Sequence, residues 1–190
     1  DFTRVNFGWW AFRKDTQPDI FEFGTSKAAS WDCPGAVTAE IDWIESNPRA
    51  EDILEVMRRW EDARKKNILS SDQKKMLRDT NTEYTLLINE NNEYELTPYY
   101  EIKTNCADIS AFSFERSGRN YVVCWHKSSN ANLTLNLPKD SIICEKELGK
   151  ERISVSGNET TSIFPISGKC YVSTSLPMNE LVKAFENITL

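Results

Sequence analysis

Four carboxylates surround the second predicted strand, and they are the residues best suited to acid/base chemistry: Glu22, Asp32, Glu40 and Asp42. Two carboxylates across a sugar are the usual device for cleaving a glycosidic bond. Asp32 lies between Trp31 and Cys33, and apolar company would raise the pKa of a general acid. Asp32 and Glu22 are therefore the catalytic candidates. For Asp32 the sequence favours the alternative, an N-cap or a buried ion pair with Lys27 or Arg4, because no partner carboxylate can be placed.

Aromatic residues supply a second kind of candidate. The motif Gly8-Trp9-Trp10 is predicted to end a strand, where an exposed indole could stack on the CH face of a sugar. Trp9, Trp10, Trp31 and Arg4 form the predicted substrate-binding set. The alternative is that one or both of Trp9 and Trp10 pack against a helix, since Trp is most often buried.

Other classes of site are not indicated. The five cysteines include no CxxC pair, and His126 is the only histidine, so neither a zinc site nor another metal site is predicted. Glycine-rich nucleotide-binding, P-loop, HExxH and GxSxG motifs are also missing from the sequence, and no cofactor is predicted. The odd number of cysteines allows one or two disulfide bridges but no closed framework. Cys124, Cys144 and Cys170 lie in β-like apolar runs, which favours reduced core thiols.

Charge and hydropathy restrict the partners. Lys and Arg sum to 23 and Asp and Glu to 29, so the net charge of −6 argues against nucleic acid. The sequence contains no apolar run of the roughly 20 residues that a membrane helix needs. The compartment stays open among cytoplasmic, periplasmic and secreted.

The residues that carry this chemistry belong to a first region, 1–80, that alternates strands and helices. A strand is predicted at 4–10, a helix at 19–30 and a short strand at 33–38. A long helix follows, with Asn47 as its predicted N-cap and Pro48 in its first turn. A capping box at residues 70–73 starts one more helix. This order makes two βα units. They span about a quarter of a (β/α)8 barrel.

The second region, 81–190, changes to short alternating segments separated by turn residues, the pattern of an antiparallel sandwich. Period-two alternation predicts an inner face of six residues and directs His126 outward. Those six are Val123, Trp125, Leu133, Leu135, Ile163 and Tyr171. A terminal helix is predicted to start at Pro177. The fold class is thus α+β: the last βα units of a TIM-like barrel, then an antiparallel β-sandwich with a C-terminal helix.

Nearly the whole chain resembles a known arrangement. The segments 112–116, 121–126, 133–135, 148–150, 163–166 and 170–172 resemble the β-sandwich that follows the barrel in many bacterial glycoside hydrolases. The segments 4–9, 18–28, 31–34 and 58–62 resemble the last two units of such a barrel. No catalytic-acid or nucleophile motif of that group matches this sequence.

The resemblance implies the C-terminal part of a glycoside hydrolase, inactive by itself because the barrel is incomplete. Its implied partners are a carbohydrate and the upstream barrel portion of the same polypeptide, which would carry much of the active site. The alternative is a non-catalytic β-sandwich module that binds glycan or braces a neighbour. A third possibility is a stand-alone α+β interaction domain.

Overall fold

The computed structural model describes residues 6–190, which form two compact units that divide between Leu87 and Ile88. The first unit contains two strands, four helices and most of a third strand. In chain order these are β1 (Phe7–Phe12), α1 (Pro18–Ser30), β2 (Gly35–Ala39), α2 (Ile41–Ser46), α3 (Ala50–Lys65), α4 (Ser71–Arg78) and β3 (Glu83–Ile88).

The predicted βα order of the first unit is confirmed. Strands β1 and β2 pair in parallel, with Trp10 opposite Val37, and α1 connects them. Pro18 occupies the first turn of α1, and the capping box of α4 is complete, with Ser70 and Gln73 bonded reciprocally. Helix α2 is not predicted from the sequence, because its six residues are too few for a clear helical period.

Strand β1 ends two residues later than the sequence indicates, and this changes the position of its tryptophans. The predicted end at Trp10 is wrong, since pairing with β2 continues through Ala11 and Phe12. Buried Phe12 packs its ring on Phe21 of α1 at a centroid distance of 5.5 Å, which holds this last residue in the strand. Trp9 and Trp10 therefore lie in the middle of β1.

The second unit is an antiparallel β-sandwich with a terminal helix. Its elements are β4 (Tyr94–Glu101), β5 (Ile109–Arg116), β6 (Arg119–His126), β7 (Ala131–Leu135), β8 (Ile142–Glu147), β9 (Glu151–Ile153), β10 (Ser156–Gly157), β11 (Ser162–Ile166), β12 (Cys170–Thr174) and α5 (Met178–Glu186). Within this unit the larger sheet has the strand order β4-β5-β6-β12-β8-β9, and the smaller has β10-β11-β7.

The core between the two sheets confirms part of the predicted inner face and corrects the rest. Leu133 and Leu135 lie in it as predicted, together with Val122 and Cys124 of β6. Phe164 takes the inward place predicted for Ile163, because Phe164 pairs directly with Leu133 across β11 and β7. Helix α5 adds Leu181, Ala184 and Phe185 to this core.

Val123, Trp125 and Tyr171 occupy the opposite face of the larger sheet, and that face is also buried. Trp125 stacks on Phe112 at 5.6 Å between ring centroids. A strand buried on both sides shows no alternation of apolar and polar residues, so the sequence 121–125 cannot reveal its register.

His126 shares the face of Val122 and Cys124, so the prediction that it points outward is wrong. The chain turns back after β6, and the backbone N–H groups of Ser128 and Ser129 donate to His126 Nδ1 at 3.3 and 3.0 Å. These contacts leave Nε2 to carry the proton, 3.3 Å from Ser129 Oγ. The imidazole is thus the buried acceptor of a turn.

The stacked face of the larger sheet gives the first testable prediction. Replacing Trp125 with Ala removes a buried indole, and we expect a loss of roughly 3–5 kcal/mol in the free energy of unfolding. Urea unfolding followed by circular dichroism measures this loss. Tyr100→Ala is the matched control, because Tyr100 is 58% exposed on β4 of the same sheet. Equal urea midpoints for Trp125→Ala and the native chain would contradict the burial of this face.

Candidate functional site

The parallel pair β1–β2 has a carboxyl edge and an amino edge. The carboxyl edge comprises residues 13–17, which follow β1, and Glu40, which follows β2; the amino edge comprises residues 31–34, which lead into β2. Ligands of parallel α/β structures bind at the carboxyl ends of strands, whereas the amino ends serve stability. The carboxyl edge is therefore where chemistry is expected.

Asn47 holds the carboxyl edge in place. Its Nδ2 donates to the carbonyls of Arg13 and Thr16 at 2.8 and 2.9 Å, and its Oδ1 accepts from the Arg49 backbone N–H at 2.7 Å. The sequence predicts Asn47 as the N-cap of the long helix, whereas the cap position of α3 is Arg49. Asn47 instead ties the β1–α1 loop to the turn that precedes α3.

Arg49 is a buried guanidinium beside this edge. Its side chain is 7% exposed, and Asp52 forms an ion pair with it at 3.9 Å. Burial lowers the pKa of Arg49, while the carboxylates of Asp52 and Glu51 oppose that shift. Among residues 6–190, no group accepts a hydrogen bond from its Nε. A buried donor without an acceptor is costly, so this side chain has capacity for one more partner.

Sequence reasoning missed the residues of this edge because it ended β1 too early. Arg13, Lys14 and Asp15 are exposed immediately after β1, and Glu40 is exposed after β2. The signal that could have located them is Thr16-Gln17-Pro18, since a proline in the first helical turn marks the end of the preceding loop. Of the four carboxylates singled out from the sequence, only Glu40 lies on the carboxyl edge.

The two adjacent tryptophans of β1 point to opposite sides of the sheet. Trp10 faces α1, where its ring lies so close that a Cβ on Gly24 would stand 2.7 Å from it. Its Nε1 donates to the Phe7 carbonyl at 3.2 Å. Trp9 faces the other way and is 79% exposed. Trp10 is thus a packing residue, and Trp9 presents an open indole.

Trp31 stands at the amino edge, at the end of α1, and is 52% exposed. The Arg78 guanidinium lies over its ring at 4.0 Å and donates to the Ser30 carbonyl through Nη2 at 2.8 Å. A cation at the carboxyl end of a helix stabilises the helix dipole. Trp31 therefore takes part in closing α1.

Asp32 follows Trp31 in the left-handed conformation, with φ of 60°. Its backbone N–H donates to the Ala29 carbonyl at 3.1 Å, and the Cys33 N–H donates to the Ala28 carbonyl at 3.0 Å. These two bonds are the Schellman pattern that ends a helix. The Asp32 carboxylate lies 4.0 Å from Lys74 Nζ. Its geometry is that of a helix-terminating residue at the amino edge.

Glu22 lies inside the first unit and is 3% exposed. Its Oε1 accepts from Trp60 Nε1 at 2.6 Å and from the Leu86 backbone N–H at 3.2 Å. About 12 Å of helix axis separates Glu22 from Ser30, before the chain even reaches Asp32. Paired carboxylates of glycosidases stand about 5–10 Å apart. Glu22 thus contacts α3 and β3 inside the unit, while the Asp32 carboxylate lies near Lys74 of α4.

Arg4, the remaining predicted substrate-binding residue, lies outside the described residues. Within residues 6–190, no group of three His, Cys, Asp or Glu side chains could hold a metal ion. The same part of the chain contains no helix long and apolar enough to cross a membrane.

Comparison with known proteins gives distant likenesses in fold to glycoside hydrolases. No protein-family model and no curated protein matches the chain. Among solved structures, an α-amylase from Anoxybacillus is 11% identical with a TM-score of 0.31, over 84% of this chain and 33% of that one. A maltogenic α-amylase from Thermotoga neapolitana is 12% identical with a TM-score of 0.31, over 89% and 41%.

A GH30 endoxylanase from Clostridium papyrosolvens C71 is 9% identical with a TM-score of 0.28, over 88% of this chain and 42% of that one. This chain thus spans about a third to two fifths of the length of these structures.

Glu22 yields a prediction that separates a structural role from a catalytic one. Glu22→Leu removes the acceptor of two buried donors, each worth about 1–3 kcal/mol when left unsatisfied, so the free energy of unfolding should fall by roughly that sum. Glu22→Gln keeps an acceptor oxygen and should lose much less. Urea unfolding of both variants measures the difference.

The control for Glu22 is Glu45→Leu, an exposed glutamate on α2 of the same unit. We expect its urea midpoint to stay within error of the native chain. A Glu22→Leu chain as stable as this control would show that the carboxylate does not hold the unit together.

Proposed function

We propose that this chain is the C-terminal part of a glycoside hydrolase that cleaves glycosidic bonds by carboxylate acid/base chemistry, and that these 190 residues alone are inactive. The observation that carries the proposal is the parallel pair β1–β2. Helix α1 covers one of its faces, and within residues 6–190 the sheet has no third strand. Parallel sheets normally have several strands and are covered on both faces.

The uncovered face supports a missing neighbour. Trp9, Ala11 and Thr38 share that face by register, and all three are exposed. Unpaired strand edges and exposed apolar surface normally mark a site of interaction. Upstream strands of a barrel would cover this face.

The catalytic carboxylates are proposed to come from that upstream portion. Glu22 is committed to Trp60 and Leu86, and Asp32 ends a helix at the amino edge. What this chain would contribute to a sugar site is the indole of Trp9, since an open indole suits the CH face of a pyranose. Trp10 and Trp31 are less suitable, because Gly24 and Arg78 each occupy one face of their rings.

Hydrolysis of aryl glycosides tests this function directly. The comparison pairs the 190-residue chain with the same chain extended upstream by about six βα units, the number that completes a barrel. Only the extended chain is expected to release the aryl group, because a quarter of a barrel cannot hold a sugar between paired carboxylates. A coding region with no βα units upstream would contradict the proposal.

The opposite result is equally specific. Turnover by the 190-residue chain that disappears in Asp32→Asn would place the chemistry within this chain and overturn the inactive-fragment proposal. Glu22→Gln should be assayed beside it, with unfolding midpoints for both variants, so that loss of turnover is not confused with loss of fold.

Amide hydrogen exchange tests the incomplete sheet independently of any substrate. We expect residues 7–12 and 35–39 to exchange faster than β6 and β12, because a two-stranded sheet with one open face opens at a low free-energy cost. Mass spectrometry of peptic fragments reports the rates. Uniformly slow exchange of β1 and β2 in a monomer would favour a stand-alone α+β domain.

A further inference from the structure

Two buried thiols face each other at the centre of the larger sheet. Cys124 of β6 and Cys170 of β12 are direct register partners, and their Sγ atoms lie 3.4 Å apart. All five cysteines are free thiols in the structure, in keeping with the reduced thiols favoured by the sequence. The arrangement nevertheless fits a covalent bond, since no other strand separates the two side chains.

The backbone already satisfies the requirements of a disulfide. Directly opposed residues of antiparallel strands have Cα atoms about 4.5 or 5.5 Å apart, depending on the type of pair. Disulfides span Cα distances of about 4.4–6.8 Å, so either type of pair is suitable. Reaching an S–S length of about 2.05 Å requires the Sγ atoms to approach by only about 1.4 Å. Rotation of the two side chains can supply that movement.

Cys144 is the third buried thiol of this core, and it is placed too far away to compete. Its register partner on β12 is Val172, so it lies diagonally from Cys170. Diagonal neighbours of this kind have Cα atoms about 7–8 Å apart, beyond the disulfide limit of about 7 Å. The register therefore selects one pair among the three core cysteines.

We propose that Cys124 and Cys170 form an intramolecular disulfide when the chain folds in the presence of a low-molecular-weight disulfide oxidant such as oxidised glutathione. One protein thiolate attacks the glutathione disulfide, forms a mixed disulfide and releases one glutathione thiolate. The other protein thiol loses its proton and displaces the second glutathione. Two protein S–H bonds are lost, one S–S bond is formed, and the oxidant is reduced to two molecules of glutathione.

The reaction belongs to folding rather than to the folded state. Both thiols are buried, and burial raises the pKa of the Cys124 thiol well above its usual value. A thiol of this kind is inert in the closed sheet, because the thiolate is the reactive form. While the strands are still open, both thiols are accessible to the oxidant. In a reducing environment the same chain folds with free thiols.

The bridge would stabilise the centre of the sandwich. It joins residues 46 positions apart in sequence and links β6 to β12, which are adjacent in the middle of the larger sheet. Closing a loop of this length restricts the unfolded chain strongly. For a chain of this size, the expected rise in Tm is about 10 °C.

The experiment compares two refolding conditions for the full chain. The reduced protein is refolded from urea either in a mixture of reduced and oxidised glutathione or in dithiothreitol, and free thiols are then alkylated in urea. After oxidative refolding we expect three of the five cysteines to be alkylated and one disulfide-linked peptide pair to contain Cys124 and Cys170. After refolding in dithiothreitol, all five should be alkylated.

Variants identify the pair. Cys144→Ser should keep the bridge and the rise in Tm between the two conditions, whereas Cys124→Ser and Cys170→Ser should lose both. Peptide mapping of the native chain decides the proposal by itself, so a variant that fails to fold does not affect the outcome. Five alkylated cysteines after oxidative refolding, or a bridge that maps to another pair, would overturn it.

Discussion

The first unit depends on the burial of charged side chains of α1 against the elements that surround it. Glu22 accepts hydrogen bonds from an indole of α3 and from the backbone of β3. Five residues along the helix, Lys27 donates through Nζ to the carbonyls of Leu77 and Asp79, both at 2.6 Å. Burial lowers the pKa of Lys27, and the carboxylates of Asp79 and Glu83 partly restore it. Both polar side chains are tolerated in buried places because backbone groups and an indole satisfy them with hydrogen bonds.

Both catalytic candidates of the sequence, Glu22 and Asp32, have structural contacts at α1. A carboxylate that already binds two buried donors has fixed its position before any ligand arrives. Asp32 is constrained in a different way, since the Schellman turn sets its backbone and brings its carboxylate near Lys74. Residues that close a helix belong to the amino edge, and the opposite end of the strands is left exposed and charged.

The local signals in the sequence were sufficient for most of the elements. Pro18 and the Ser70-to-Gln73 box located helix starts, because each acts through its own backbone or a neighbour three residues away. The register of β6 could not be predicted, because both faces of this strand are apolar and alternation disappears. The role of Asp32 could not be predicted either, since a positive φ at a non-glycine residue depends on the hydrogen bonds of the preceding helix.

Strand register bears on function differently in the antiparallel sandwich and in the parallel pair β1–β2. In the sandwich, register decides which side chains are in contact. Cys124 and Cys170 are opposed because β6 and β12 pair in this register, which no sequence pattern predicts. In β1 and β2, register decides instead which side chains stay exposed, and Trp9 is the clearest example. An indole that is largely exposed on a strand, beside another that packs tightly on a helix, is open to contact with a ligand or a further strand. In the barrel proposed above, an added strand or a sugar bound at the carboxyl end would cover it.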